Sequence, residues 1–437
     1  MTTHGPLASD VPFVTTGNAF WTMDRVAQAL SACATVPSPT GAREFVAVST
    51  DTRTITAGTL FVALVGDRFD AHDFLSDAVA AGATALVVSS APRAADTGVP
   101  VYVVRDTREA LGALAHYRRN AWAKPVIAVG GSNGKTSTKA MLAAMLAGAY
   151  DVHATIGNLN NEIGVPLTLL SLPDDADVAV IEAGTNTPGE IARLRAIIAP
   201  DVTVITSIGE EHLEGFGDLA GVLKEELALT VGVPVVVIPS AHPEVAAGVT
   251  GEGQQVVVAG LDGGHVQPLR WRLESDGSGT LTFDDGDLHI PLRGAHNLRN
   301  AMLAVTVARG FGVSLEQMQF GLSRMTQPSM RAAVDPIGSA LLVNDAYNAN
   351  PPSMRAALDL LEAVGHGRRI GVVGVIDEQC RTNRIDSRAH RWLRHSREAE
   401  LHLFQRDAEA ARHRHSEHRI TQIVRAAKRY VQIAVVE

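Results

Sequence analysis

The segment from Pro125 to Lys139 constrains this chain more than any other. An apolar, β-branched run (Pro125 to Val129) meets glycines at 130, 131 and 134, and Lys135-Thr136 then opens a stretch free of helix breakers. That order predicts a buried strand, a glycine turn and a helix start, the arrangement that cradles nucleotide phosphates. Gly131 and Gly134 let backbone N–H groups close on phosphate oxygens, Lys135 adds a point charge, and the Thr136 hydroxyl can ligate magnesium. Ser132, Asn133 and Ser137 complete the expected nucleotide-binding set. The common phosphate loop carries a glycine five residues before its Gly-Lys pair, and here that position is Val129. The bland alternative is a glycine turn capping an ordinary helix. ATP is the expected nucleotide.

With 437 residues the chain exceeds one ordinary core. We read an α/β protein of three domains, over 1–120, 121–323 and 324–437. The first contains short strands within Phe45–Arg53, Gly58–Gly66 and Ala85–Val88 and has no phosphate loop. In the second, the runs Asp177–Ala183, Asp201–Ser207 and Val233–Ile238 have the β-branched character of strands buried in a parallel sheet. Polar residues cluster just past their ends, where open α/β sheets bind ligands. Gly260–Pro291 reads as hairpins before a helix over Leu298–Arg309. The third domain places strands Ala340–Asn344 and Arg369–Val373 around a helix over Ser353–Val364. No apolar run approaches the roughly 20 residues that span a bilayer, so we expect no membrane insertion and a cytoplasmic location. Cys33 and Cys380 are too far apart in sequence to suggest a disulfide framework or a thiolate metal site. A net charge of −9 argues against a general nucleic-acid surface.

Several constellations carry chemistry. Glu182 ends the run Val178–Glu182, where a buried carboxylate needs a cation, and is a candidate magnesium ligand. Capping of the next helix or pairing with an arginine are the alternatives. His212, after the strand ending at Ser207, could ligate a second metal. The stretch Thr155–Pro166 packs Asn158, Asn160, Asn161 and Glu162 between two glycines, which suits multipoint hydrogen bonding, or an Asn-rich turn. Asn297 is placed as a helix N-cap and can also contact a purine edge. Asn344–Ser353 ends a strand and starts a helix with Asp345, Tyr347, Asn348 and Asn350 offering polar groups.

In order, the segments Gly157–Gly164, His212–Gly217 and Asp345–Pro351 resemble the Mur ligase family of ATP-dependent amide-bond-forming enzymes, over about 375 residues. The family's short phosphate loop has its glycine three residues before Gly134, at Gly131. The resemblance implies a three-domain architecture with a central parallel-sheet ATPase domain and a Rossmann-like C-terminal domain. It further implies that ATP phosphorylates the terminal carboxylate of UDP-N-acetylmuramoyl-tripeptide and that D-Ala-D-Ala attacks the acyl phosphate, in a protein expected to be a monomer. Lys135, Glu182, His212 and Asn158 would be catalytic. Thr136 and Glu182 would hold one Mg2+, and His212 with Glu182 a second. His296, Asn297, Asn300, Arg331 and Asp345 would contact the nucleotide, the last two after domain closure. Ser49, Asp51 and Arg53, together with Phe61–Phe74, would hold the UDP-sugar, and Asn160, Asn161, Glu162, Tyr347, Asn348 and Asn350 the peptide substrates.

Two departures stand out. Relatives carry a carboxylated lysine at the position of Glu226; Lys224 could serve only if the helix had lost two residues, and Glu226 could instead supply a carboxylate itself. Beyond about residue 375 the family pattern gives way to a segment with 13 Lys plus Arg, 7 Asp plus Glu and six histidines from Gln379 onward. We read this tail as a divergent or frame-shifted end of a C-terminal domain, with a solvated basic helical surface and, as the alternative, metal binding. Other readings of the whole are a related muropeptide or folylpolyglutamate-type ligase, or a nucleotide-binding relative without catalysis.

Overall fold

The computed structural model describes residues 20–66, 69–90, 97–328, 331, 333–337, 340–345, 351–364, 369–374 and 431–436. Contacts group the chain into two compact units: residues 1–208, 212–267 and 300–325, and residues 209–211, 268–299 and 326–437.

The first unit contains two parallel sheets. The N-terminal sheet runs in chain order through Ala47–Ser49 (β1), Thr59–Val62 (β2), Ala83–Val88 (β3) and Val101–Val103 (β4). Helix Thr107–Trp122 (α1) follows, capped by Asp106, whose side chain accepts from the Arg108 and Glu109 N–H groups. Two buried guanidinium groups tie this helix to the next sheet. Arg118 donates to the Leu172 carbonyl and Asp174, and Arg119 to the Ile198 and Ala199 carbonyls and Asp201. Arginine suits this place because its fork satisfies several oxygens while remaining charged.

The central sheet is six-stranded and wholly parallel. It is built from Val126–Gly130 (β5), Val152–Ala154 (β6), Val178–Glu182 (β7), Val202–Ile205 (β8), Val235–Pro239 (β9) and Gln255–Ala259 (β10). Their spatial order is β10-β9-β8-β5-β7-β6, which puts β5 between β8 and β7. Every residue of β5 and β7 is buried. This explains their near-continuous apolar sequence, since helices cover both faces of such a sheet. The order also reverses beside β5, so the end of that strand opens at a topological switch point, where α/β sheets bind ligands.

Helices Lys135–Leu146 (α2), Gly164–Leu170 (α3), Glu190–Ile198 (α4) and Leu219–Leu227 (α5) connect or flank these strands. In the second unit Arg270–Leu273 (β11), Gly279–Phe283 (β12) and Gly286–Ile290 (β13) form an antiparallel meander, as the hairpin pattern predicts. Helix Ala295–Gly310 (α6) begins three residues earlier than the sequence suggests. Helix Leu315–Ser323 (α7) carries a capping box between Ser314 and Gln317.

A second antiparallel sheet contains Ala333–Ile337 (β14), Ala340–Asn344 (β15), Arg369–Gly374 (β16) and Val431–Val436 (β17), in the order β14-β15-β17-β16, with helix Pro351–Val364 (α8) alongside. The last strand pairs with both neighbours, Leu342 and Ile370 each lying opposite Val435. The expectations for residues 375–430, including the basic helical surface, fall outside the described residues.

Candidate active site

The loop after β5 is shaped by contacts that only glycine permits. Gly131 has φ +115°, and a Cβ there would lie 2.8 Å from the Thr206 nitrogen. Gly134 has φ +88°, and its Cβ would lie 2.6 Å from the Asn300 Oδ1. Asn300 is buried on α6, so this member of the expected nucleotide set does reach the loop. The segment just past strand β8 supplies the remaining scaffold. Ser207 accepts the Ser132 N–H on its carbonyl and the Asn133 N–H on its hydroxyl oxygen, while the Thr206 hydroxyl donates to the Asn133 carbonyl at 2.6 Å. The Lys135 ammonium donates to the loop's own Gly131 and Ser132 carbonyls, at 2.6 and 3.1 Å. The cation needed for phosphates is therefore held at the loop, and α2 starts immediately beyond with its N–H groups facing the same turn.

Glu182, at the end of β7, is the hub of the polar cluster. Its Oε1 accepts from the Thr136 hydroxyl at 3.1 Å and from the Asn160 amide at 2.9 Å, and its Oε2 forms an ion pair with the Lys139 ammonium at 2.9 Å. Both charged side chains are almost fully buried, at 7% and 2% exposure. Lys139 also donates to the Gly157 carbonyl at 2.9 Å, so it fixes the Asn-rich loop as well. The cation that buried Glu182 requires is thus a lysine of the next helix turn rather than the arginine considered from sequence. Sequence reading missed Lys139; its position four residues after Lys135, on the same helix, was the available signal.

Helix α5 contributes two buried carboxylates. Glu225 accepts from the Gly189 and Ile191 N–H groups at the start of α4, at 2.8 and 2.9 Å. The Gly131 N–H donates to Glu226 Oε2 at 2.7 Å. Lys224 is exposed. Two positions along a helix are about 200° apart around its axis, so Lys224 cannot share the inward direction of Glu226. This corrects the expectation that Lys224 could serve as a carboxylated lysine by a helix deletion, and it places Glu226 against the phosphate loop instead.

Other expected residues have more local roles. The Asn161 side chain accepts from the Ile163 and Gly164 N–H groups, capping the start of α3, and Glu162 pairs with Arg193. Asn158 is exposed. His212 is exposed at φ +49°, a left-handed conformation that costs a non-glycine residue on the order of 1 kcal/mol, and it is not among the partners of Glu182. Among the described residues no group of three or more His, Cys, Asp and Glu could by itself hold a metal ion.

Arg53 grips Asp51 through two nitrogens, at 2.9 and 2.5 Å, and that bond holds the Asp51 carboxyl below the usual range. Ser49 is buried and bonds the same turn. Beside the same N-terminal sheet, the buried His72 bonds Asp70 through Nδ1 at 2.6 Å and the Ser89 N–H through Nε2 at 2.9 Å, so both ring nitrogens are held in place.

In the second unit, the expected N-cap at Asn297 is corrected. Helix α6 begins at Ala295, and the Asn297 amide donates to the Arg293 carbonyl from inside the first turn. Burial, followed by the charge of Arg299, pushes His296 down to about 4. Arg331 and Asp345 are half-buried in this unit. Tyr347, Asn348 and Asn350 lie outside the described residues.

Comparison with known proteins agrees with this geometry. Residues 129–308 match the Mur ligase middle domain, and residues 44–119 the Mur ligase family catalytic domain. The chain is 39% identical over 345 residues to the UDP-N-acetylmuramoyl-tripeptide--D-alanyl-D-alanine ligase of Escherichia coli, covering 76% of this chain and 75% of that protein. A crystal structure of MurF from Acinetobacter baumannii aligns at a TM-score of 0.71 and 34% identity, over 78% of this chain and 76% of the other. The MurF ligase from Thermotoga maritima in complex with ADP aligns at 0.66 and 26%, over 74% and 75%. With a phosphate loop on the central strand, a buried carboxylate beside it and this extent of similarity, the chain belongs to the Mur ligase family.

Proposed function

We propose that this chain is an ATP-dependent ligase joining D-Ala-D-Ala to UDP-N-acetylmuramoyl-tripeptide, a cytoplasmic step of peptidoglycan precursor synthesis. The observation that carries the reading is the 39% identity to the Escherichia coli ligase, which extends over three-quarters of both chains. The chemistry follows from the cluster. A carboxylate oxygen of the tripeptide attacks the γ-phosphorus of ATP and ADP leaves. The dipeptide amine then attacks the acyl carbon, phosphate departs, and the amine gives up a proton. Such transfer needs positioning and charge neutralisation more than a protein nucleophile.

In this reading Lys135 exchanges its loop carbonyls for phosphate oxygens, with Gly131 to Ser137 surrounding them. Thr136 and Glu182 offer a hydroxyl and a carboxylate, hard oxygen donors that fit magnesium shared with substrate phosphates. Magnesium bound there would offset the phosphate charge during transfer. Asn160 orients Glu182 and carries that order into the loop, where Asn158 is assigned a catalytic role and Asn160, Asn161 and Glu162 the peptide substrate. Asn300 lines the loop from α6, and His296, Asn297, Arg331 and Asp345 are assigned to the nucleotide. Ser49, Asp51 and Arg53 are assigned to the UDP-sugar, and Tyr347, Asn348 and Asn350 to the incoming dipeptide. His212 is assigned to a second metal.

Incubation with ATP, magnesium, the UDP-linked tripeptide and D-Ala-D-Ala, followed by mass spectrometry, tests the proposal. The expected product is heavier than the UDP substrate by the dipeptide less one water. A product formed equally well with an unrelated single amino acid in place of the dipeptide would overturn the assigned specificity.

A further inference from the structure

We propose that Glu226 is a positioning residue for nucleotide binding, acting through the backbone of the phosphate loop; the inference rests on the reading of that loop as the ATP site. Glu226 is 1% exposed, and its Oε2 takes the Gly131 N–H at 2.7 Å. A carboxylate in such a place is costly unless its hydrogen bonds are worth the desolvation. The same residue, Gly131, offers its carbonyl to the Lys135 ammonium at 2.6 Å. One glycine at φ +115° is therefore gripped at both ends, by an anion on its N–H and a cation on its C=O. Glycine has the widest choice of backbone conformations, so these grips add to the Thr206 and Ser207 bonds in fixing the turn that aims the following N–H groups.

The surroundings leave Glu226 no slack. A Cβ on Gly130 would lie 3.1 Å from Glu226 Oε2 and 2.6 Å from Leu229, so the strand end and the carboxylate are in close contact. One residue earlier, Glu225 accepts two N–H groups at the start of α4. Helix α5 thus reaches the turns that follow the neighbouring strands β5 and β7 with adjacent carboxylates. An acceptor serving Gly131 keeps the loop in the shape that receives phosphates before any ligand arrives, which reduces the ordering that binding must supply.

Acceptor and charge can be separated. Glu226→Gln keeps an oxygen for the Gly131 N–H and removes the negative charge near the phosphates. Glu226→Met keeps the length and removes the acceptor. Binding of ADP, measured by calorimetry on the full chain, should be near native in Glu226→Gln and weakened about tenfold in Glu226→Met, the scale of one lost backbone hydrogen bond. The KM for ATP should rise in the Met variant while the KM for D-Ala-D-Ala stays unchanged. Equal ADP affinity in native and Met proteins, or an equal loss in the Gln and Met proteins, would overturn the assignment. If the Met variant does not fold, Glu226→Ala, which also removes the acceptor, takes its place: about tenfold weaker ADP binding than in Glu226→Gln supports the role, and equal affinity overturns it. Failure of the native chain to bind ADP would instead overturn the ATP-site reading itself.

Discussion

At the scale of single residues, the account turns on Glu182. Its buried pair with Lys139 makes a specific demand on stability, because removing one charge leaves the other stranded. Glu182→Gln is expected to destabilise the fold by about 3 kcal/mol in denaturant titration. Pairing it with Lys139→Met should recover most of that loss, yet kcat should remain depressed by about a hundredfold or more, because the proposed magnesium carboxylate is absent. Full activity in the stable double variant would remove Glu182 from the mechanism. A second residue-scale prediction concerns pH. His296 lies at about 4 in the folded protein against an ordinary 6.5. Between those values the unfolded chain binds a proton that the folded protein refuses. This contribution to stability is complete above about 6.5 and is lost as the pH falls toward 4. Burial pushes His153 in the same direction. His296→Asn should flatten part of the decline in unfolding free energy from pH 6.5 to 4; an unaltered profile would show that His296 is not the responsible group.

At the scale of elements, the phosphate loop and its flanking strands were legible because their signals are local. β-branched runs mark β5, β7, β8 and β9, and the glycines mark the turn that joins β5 to α2. What stayed hidden depends on packing between distant segments. No periodicity identifies which lysine of α2 meets Glu182, or shows that Glu225 and Glu226 face inward while Lys224 faces water. Nor does the sequence show that the Asn161 side chain, assigned to the peptide substrate, also accepts the N–H groups at the start of α3, since a cap and a ligand contact use the same amide chemistry. Asn297 failed as a cap because α6 starts earlier, after Gly294 at φ +91°. Helices α2 and α7 give a further prediction. A Cβ on Gly321 would run into the Ala144 carbonyl, and one on Gly148 into the Gln317 carbonyl, so their backbones touch. Gly321→Ala should cost about 2 kcal/mol of stability through overpacking. The folded fraction should still bind ADP normally, since the phosphate loop lies at the other end of α2. A neutral effect on the denaturation midpoint would contradict the close approach.

At the scale of the whole molecule, the doubly covered parallel sheet follows from the strand composition, and among the described residues no helix is long and apolar enough to cross a membrane. Nucleotide binding should be visible as global stabilisation. ADP with magnesium at about 100 times its Kd is expected to add about 2.7 kcal/mol to the unfolding free energy of whatever unfolds with the loop. Lys135→Ala should remove most of that gain in a thermal scan, and a gain retained in that variant would place the nucleotide elsewhere. The central claim, that ATP cleavage here is spent on an amide bond, is tested most directly by phosphate release. The measurement is made on the purified chain with ATP, magnesium and UDP-N-acetylmuramoyl-tripeptide, with and without D-Ala-D-Ala. The account predicts sustained release only when the dipeptide is present, in a one-to-one ratio with ligated product. Release that ignores the dipeptide, or no release from a protein shown to bind both ATP and the UDP-linked tripeptide, would contradict it.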